Sequence, residues 1–151
     1  MGDYGSQINE SSLLLFNVLS RTEVIEKELW LERTEELKMM AIRHSLYPMG
    51  PLVMTMEQIP EDESKTRFTF YLPLNGKYHP DPEDGCSFLP ALTLEHTLSV
   101  RHHEEGKPFS ASYEEMECYA REHHLSVKKP VYHVMIPVYG DYFAEIHMPV
   151  G

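Results

Sequence analysis

The segment 142–150 places a carboxylate beside aromatic and imidazole side chains. Successive residues of a strand point to opposite faces, so Phe143, Glu145 and His147 share one face. A carboxylate among apolar rings is costly to leave unpaired, and a desolvated cation held near the rings would offset that cost. This composition is typical of a binding site rather than of a plain solvated face.

Two hairpins extend this face. Strands are expected at 52–57 and 67–74, and again at 130–138 and 142–150, with Gly140-Asp141 as the two-residue turn of the second hairpin. That turn would set Ile136 opposite Glu145 and Val134 opposite His147. Each hairpin then has an apolar face for a helix and a mixed face. The predicted ligand-binding residues on the mixed faces are Glu145, His147, Phe143, Tyr132, Tyr71, Thr69 and Arg67.

Other uses of these side chains stay open. Glu145 could instead form a structural ion pair with Arg67. Glu145, with His147 on the same face, could also act as a general base. No nucleophile with an obvious partner is present, however, so no catalytic residue is predicted. His133 and His147 project to opposite sides of their hairpin, which disfavours a shared metal ion. The sequence has no glycine-rich phosphate loop, and no cofactor or metal is predicted.

Two helices should cover the apolar faces. Ser20 and Glu23 have the spacing of a capping box, and the apolar periodicity after them predicts a helix from Thr22 to about His44. The prolines and glycine in 47–51 end it. A second capping box, Ser112 to Glu115, predicts a helix reaching about residue 125, after a strand at 89–100.

An apolar run at 12–19 predicts one more strand before the first helix, so the order strand, helix, strand, strand occurs twice. Pro51 aligns with Pro130, and Pro73 aligns with Pro149, so both hairpins start after a proline and end on an apolar-Pro-apolar triplet. We predict a flexible N-terminus at 1–11, a first repeat at about 12–74, a linker at 75–88 and a second repeat at about 89–150. The expected fold class is α+β, a single domain in which duplicated β-α-β-β units form an antiparallel sheet. Two helices would cover one face, with a ligand cleft on the other.

The composition and charge limit the kinds of partner that the protein can bind. The 151 residues are 42% hydrophobic and 25% charged, which is ordinary for one globular domain. With 13 basic and 24 acidic residues the formal net charge is −11, which disfavours nucleic acid. No stretch is apolar enough to span a membrane, and the start lacks the pattern of a signal peptide. A cytoplasmic location is predicted, and the sequence leaves the oligomeric state open.

Several motifs resemble a known family. Residues 142–150 resemble the closing strand of the gyrase-inhibitor-like, or effector-binding, domain family, which reads acidic-apolar-aromatic-apolar-Pro. Val100-Arg101-His102-His103 with Gly106 resembles its segment before the second helix. A closer similarity is to uncharacterised Bacillus- and Listeria-type proteins of a family of unknown function with this fold (DUF5085-like). Those proteins share a strand that resembles Gly50-Pro51-Leu52-Val53.

The resemblance implies a ligand site. In the broader family the two halves form a cleft, and a glutamate of the last strand, here Glu145, faces cationic and aromatic ligands. Tyr132, Phe143 and His147 would form walls, with Tyr71 and Thr69 on the facing half. The expected function is a stand-alone domain that binds or sequesters a small molecule. The alternatives are a protein-interaction or accessory module of a bacterial system, and a hydrolase with Glu145 as general base.

Overall fold

The computed structural model describes residues 7–102 and 107–151. These residues form six antiparallel strands and two α-helices, which confirms the predicted α+β class. The elements are β1 (Asn9–Glu26), α1 (Trp30–Arg43), β2 (Leu52–Gln58), β3 (Lys65–Pro73), β4 (Cys86–His102), α2 (Phe109–Glu122), β5 (Tyr132–Val138) and β6 (Asp141–Pro149). Within the described residues, neither helix has the length and apolar character needed to cross a membrane.

The chain divides into two compact units. The N-terminal unit is Leu14–Leu92, and the C-terminal unit is Thr93–Gly151 together with the described residues before Leu14. The predicted flexible N-terminus falls partly on residues 1–6, which lie outside the described part of the chain. The limits predicted for the repeats, like the internal repeat and the cytoplasmic location, stay predictions.

In the N-terminal unit, α1 packs on a sheet of strand order β1-β3-β2. Phe70 pairs with Arg21 on one side and with Met54 on the other, so these residues share a face with their neighbours two positions away. That face meets the helix, because Arg21 Nη1 lies 3.8 Å from Met40 Sδ. The side chains buried there include Leu19, Met54, Phe68, Phe70 and Leu72 of the sheet and Thr34, Leu37 and Ala41 of α1.

The C-terminal unit has the same plan, with α2 on a sheet of strand order β4-β6-β5. The Tyr113 hydroxyl of α2 lies 2.5 Å from His133 Nε2 of β5, which fixes the face that the helix covers. The side chains buried there include Leu98, Val100, Met135, Ala144, Ile146 and Met148 of the sheet and Ser112, Met116 and Ala120 of α2.

The two helices end with the same local geometry. Each helix is followed by a histidine, His44 or His123, whose Nδ1 lies 2.9 Å from the carbonyl oxygen four residues earlier. The next residue has positive φ in both units, 62° at Ser45 and 56° at His124. The predicted order of elements, strand, helix, strand, strand and then the same again, is therefore confirmed.

The predicted start of the first helix is wrong. β1 continues through the presumed capping box to Glu26, and Ser20 and Thr22 pair with Tyr71 and Thr69 of β3. Strand pairing outweighs the local preference of these residues for a helix start. It includes a hydrogen bond of 3.0 Å between the Thr22 and Thr69 hydroxyls. The helix begins only at Trp30.

The second capping box is also wrong. α2 begins at Phe109, directly after Pro108, so Ser112 lies inside the helix rather than at its end. Ser112 is buried, and its Oγ lies 2.7 Å from His102 Nδ1. Its hydroxyl therefore serves a tertiary contact and does not cap the helix.

The turn of the second hairpin lies one residue earlier than predicted. Tyr139 and Gly140 form it, and both have positive φ, 49° and 82°, as a type I′ turn requires. The register moves by two residues, so Glu145 lies opposite Val134 and not Ile136, and His147 lies opposite Tyr132 and not Val134. A shift of two leaves every side chain on its predicted face.

Candidate functional site

The candidate site lies on the face of the C-terminal sheet that points away from α2. β6 contributes Phe143, Glu145 and His147 to this face, because alternate residues of the strand point the same way. β5 contributes Tyr132 opposite His147. The structure thus brings together four of the seven predicted ligand-binding residues. We call this set of four residues, together with Thr97 and Arg101 of β4, the Glu145 face.

His147 is held at both ring nitrogens. Its side chain is 2% exposed, its Nε2 lies 2.8 Å from Glu145 Oε1, and its Nδ1 lies 2.9 Å from Thr97 Oγ1. An ionised carboxylate only accepts, so Nε2–H donates to Glu145. In the neutral imidazole, Nδ1 then accepts from the Thr97 hydroxyl. The ring cannot rotate without losing both bonds, so it fixes the orientation of the carboxylate.

Glu145 remains reachable from solvent. Its side chain is 33% exposed, while Tyr132 and Val134 beside it are each only 8% exposed. Among the described residues its recorded hydrogen bond uses Oε1, which leaves Oε2 to accept from another donor. An oriented carboxylate over a buried aromatic and aliphatic floor can bind an ammonium or N–H group, or can take up a proton.

Arg101 of β4 adds a cation to the same face. It pairs directly with Glu145 in the register of β4 and β6. Its guanidinium carbon lies 5.8 Å from the centre of the Phe143 ring, within the range of a cation–π contact. The Arg101 side chain is exposed.

The other three predicted residues lie in the N-terminal unit. Tyr71, Thr69 and Arg67 share the face of β3 that points away from α1. Arg67 Nη1 lies 3.8 Å from Glu57 Oε2, and the Thr69 hydroxyl bonds to Thr22 as described above. Arg67 therefore forms its ion pair within its own hairpin, and Glu145 pairs with His147. A part for these three residues in ligand binding stays a prediction.

Sequence reasoning missed Thr97 and Arg101 as site residues. Alternation along the strand predicted at 89–100 puts Thr97 on the side opposite Leu98, and the same count, continued by one residue, puts Arg101 there. The missing information was the partner strand, because only the pairing of β4 with β6 brings them to His147 and Glu145.

A second polar cluster lies under α2. His102 bonds through Nδ1 to Ser112 Oγ and through Nε2 to the carbonyl of Lys107, each at 2.7 Å. The Tyr113 hydroxyl bonds to His133, and burial raises the pKa of Tyr113 to about 12. Ser112 is 2% exposed, so its hydroxyl is not an accessible nucleophile. These bonds fasten the helix to its sheet.

Solved structures define the class of fold. The chain is similar to EcmrR in a cryo-EM EcmrR–DNA complex, with a TM-score of 0.74, 12% identity and coverage of 96% of this chain and 57% of that one. It is similar to the crystal structure of the EcmrR C-terminal domain, with a TM-score of 0.67, 12% identity and coverage of 97% and 98%. A hydrolase from Listeria innocua gives a TM-score of 0.66, 9% identity and coverage of 98% and 94%. At such identities these likenesses show a shared fold.

The sequence identifies the family. Residues 14–150 match the model of DUF5085, a domain of unknown function, so the chain belongs to this family, as its motifs predicted. No curated protein matches the sequence. The chain spans only 57% of the EcmrR chain in the DNA complex, but almost all of the EcmrR C-terminal domain.

Proposed function

We propose that this protein binds or sequesters a small molecule through the Glu145 face. The observation that carries the proposal is the hydrogen-bonded series Thr97, His147, Glu145, which ends in a carboxylate that is one-third exposed. The ligand would present an ammonium or N–H donor to Glu145 and an apolar body to the neighbouring ring of Phe143.

The physical reason is preorganisation. A surface glutamate must lose rotamer freedom when it binds a ligand, and that loss weakens binding. His147 is buried and already holds Oε1 of Glu145, so less freedom remains to be lost. A hydrogen bond between charged groups is also stronger than one between neutral groups.

The test is calorimetric titration of wild-type protein, Glu145→Gln and Glu117→Gln with primary aromatic ammonium ions such as benzylammonium, 2-phenylethylammonium and tryptammonium, whose N–H groups can donate to Glu145. Glutamine keeps an oxygen that accepts from His147 but removes the charge. We expect binding to weaken about tenfold or more in Glu145→Gln, since hydrogen bonds to charged groups contribute ~1.5–3 kcal/mol. Glu117→Gln removes an exposed carboxylate of α2, outside the Glu145 face, and this variant should bind as wild type does.

Equal affinity in wild type and Glu145→Gln would remove Glu145 as the anchor. If neither these cations nor a broad metabolite set binds, the small-molecule function is wrong. The alternative of a protein partner would then be tested by pull-down with the same two variants.

Hydrolysis is a second candidate, because a carboxylate oriented by an imidazole is also the arrangement of a general base. A structure that shares this fold is a hydrolase from Listeria innocua. Mass spectrometry of each bound compound after incubation tests this candidate. Product that forms with wild type and not with Glu145→Gln would support hydrolysis. If the compound stays unchanged, the protein binds it without hydrolysing it.

A further inference from the structure

Arg101 and Glu145 are cross-strand neighbours that do not neutralise each other. They are directly paired in β4 and β6, where Cβ atoms lie about 5 Å apart, and unlike charges at such positions ordinarily attract. Among the described residues, however, no ion pair joins them. Glu145 is bonded to His147, and Arg101 lies over Phe143.

Each group therefore keeps unused bonding capacity. The contact of the Arg101 guanidinium with the Phe143 ring does not consume its N–H donors, which match the geometry of a carboxylate or phosphate. The Arg101 side chain is exposed, and Glu145 is one-third exposed. An anion-binding group and a cation-binding group thus stand side by side on one face.

This pairing argues against a simple cation as the ligand. A cation bound at Glu145 would lie beside the like charge of Arg101, and a cation stacked on Phe143 would have to displace the guanidinium already there. A ligand that carries both charges would instead satisfy both groups at once.

On the basis of the proposed function, we propose that the ligand is amphoteric. Its cationic or N–H donor group binds Glu145, and its carboxylate or phosphate binds Arg101. The two charged groups of the ligand are only a few bonds apart, because the two protein residues are direct cross-strand partners.

Three probes with the same phenyl body test the charge requirement: L-phenylalanine, 2-phenylethylammonium and 3-phenylpropanoate. Dissociation constants are measured by ligand-observed NMR titration with wild type, Arg101→Gln, Glu145→Gln and the control Arg121→Gln, which removes an exposed cation of α2. Arg101 is exposed, so its replacement should leave the fold intact.

We expect wild type to bind phenylalanine at least tenfold more tightly than either singly charged probe. Arg101→Gln should lose the preference over 2-phenylethylammonium, and Glu145→Gln should lose the preference over 3-phenylpropanoate. Arg121→Gln should keep both preferences.

The proposal is wrong if wild type binds 2-phenylethylammonium or another aromatic cation as tightly as the zwitterion. It is also wrong if Arg101→Gln leaves the preference unchanged. In the first case the proposed binding function still stands, as a cation receptor. If no probe and no compound of the wider screen binds wild type, the proposed function fails as well.

Discussion

At the scale of single residues, His147 is the most constrained polar side chain of the candidate site. It is buried, and its two ring nitrogens bond to two different strands, to Thr97 of β4 and to Glu145 of β6. A buried nitrogen that loses its partner retains the full cost of its desolvation. The Thr97 hydroxyl is therefore important for stability as well as for the orientation of the site.

We predict that Thr97→Val lowers the free energy of unfolding by about 1–3 kcal/mol, because valine keeps the shape but leaves His147 Nδ1 without its partner. Urea denaturation followed by circular dichroism measures this change. Thr93→Val, at an exposed position of the same strand, is the matched control and should change stability by less than about 0.5 kcal/mol. Equal stability of Thr97→Val and wild type would mean that water replaces the hydroxyl.

At the scale of elements, the turn between β5 and β6 sets the register of the strand that carries the site. Tyr139 has a φ of 49°, a conformation that an L-residue with a side chain adopts at a cost of about 1–2 kcal/mol. Its side chain is fully exposed, so it gains no packing in return. The turn is conformationally strained at this position, so a residue that adopts positive φ more readily should stabilise the protein.

Tyr139→Asn should stabilise the protein by about 0.5–1 kcal/mol, because Asn-Gly is the favoured pair of a type I′ turn. Gly140→Ala should destabilise it by about 1 kcal/mol. A Cβ at Gly140 would meet no atom within 4 Å, so this cost is purely conformational. Thermal unfolding of both variants checks the signs. A loss of stability in Tyr139→Asn would show that the tyrosine side chain has a role in the folded protein.

At the scale of the whole molecule, each unit contains a tyrosine that favours the protonated form. Burial, followed by the negative charge of Asp84 at 3.4 Å from its hydroxyl, raises the pKa of Tyr78 to about 12. Burial raises the pKa of Tyr113 to about 12 as well. The ordinary pKa of tyrosine is 10.0. Between pH 10 and about pH 12 the unfolded chain therefore binds fewer protons than the native one.

Stability from these tyrosines is therefore fully present below pH 10 and declines as the pH rises towards about 12. Tyr78→Phe and Tyr113→Phe remove this dependence. We expect the difference in unfolding free energy between wild type and each variant to shrink across that window, as measured by urea denaturation at a series of pH values. A difference that stays constant would contradict the raised pKa values.

The sequence by itself determined the order of the elements and the face of each hairpin strand. Period-two alternation is a property of the extended backbone, so Phe143, Glu145 and His147 share a face whatever the register is. For the same reason the wrong prediction of the turn, at Gly140-Asp141 instead of Tyr139-Gly140, left the site residues on their predicted face, since the register moved by two residues. The family also followed from short motifs, and its match over residues 14–150 confirms it.

Only the tertiary structure decided which strands pair and what each side chain meets. The segment from Ser20 to Glu26 contains the sequence pattern of a capping box, but its pairing with β3 makes it a strand. Ser112 has the same local signal, yet it is buried against His102. Thr97 and Arg101 reach the site because β4 lies beside β6. Such pairings join residues far apart in the chain, and their energies depend on a partner that no local pattern specifies.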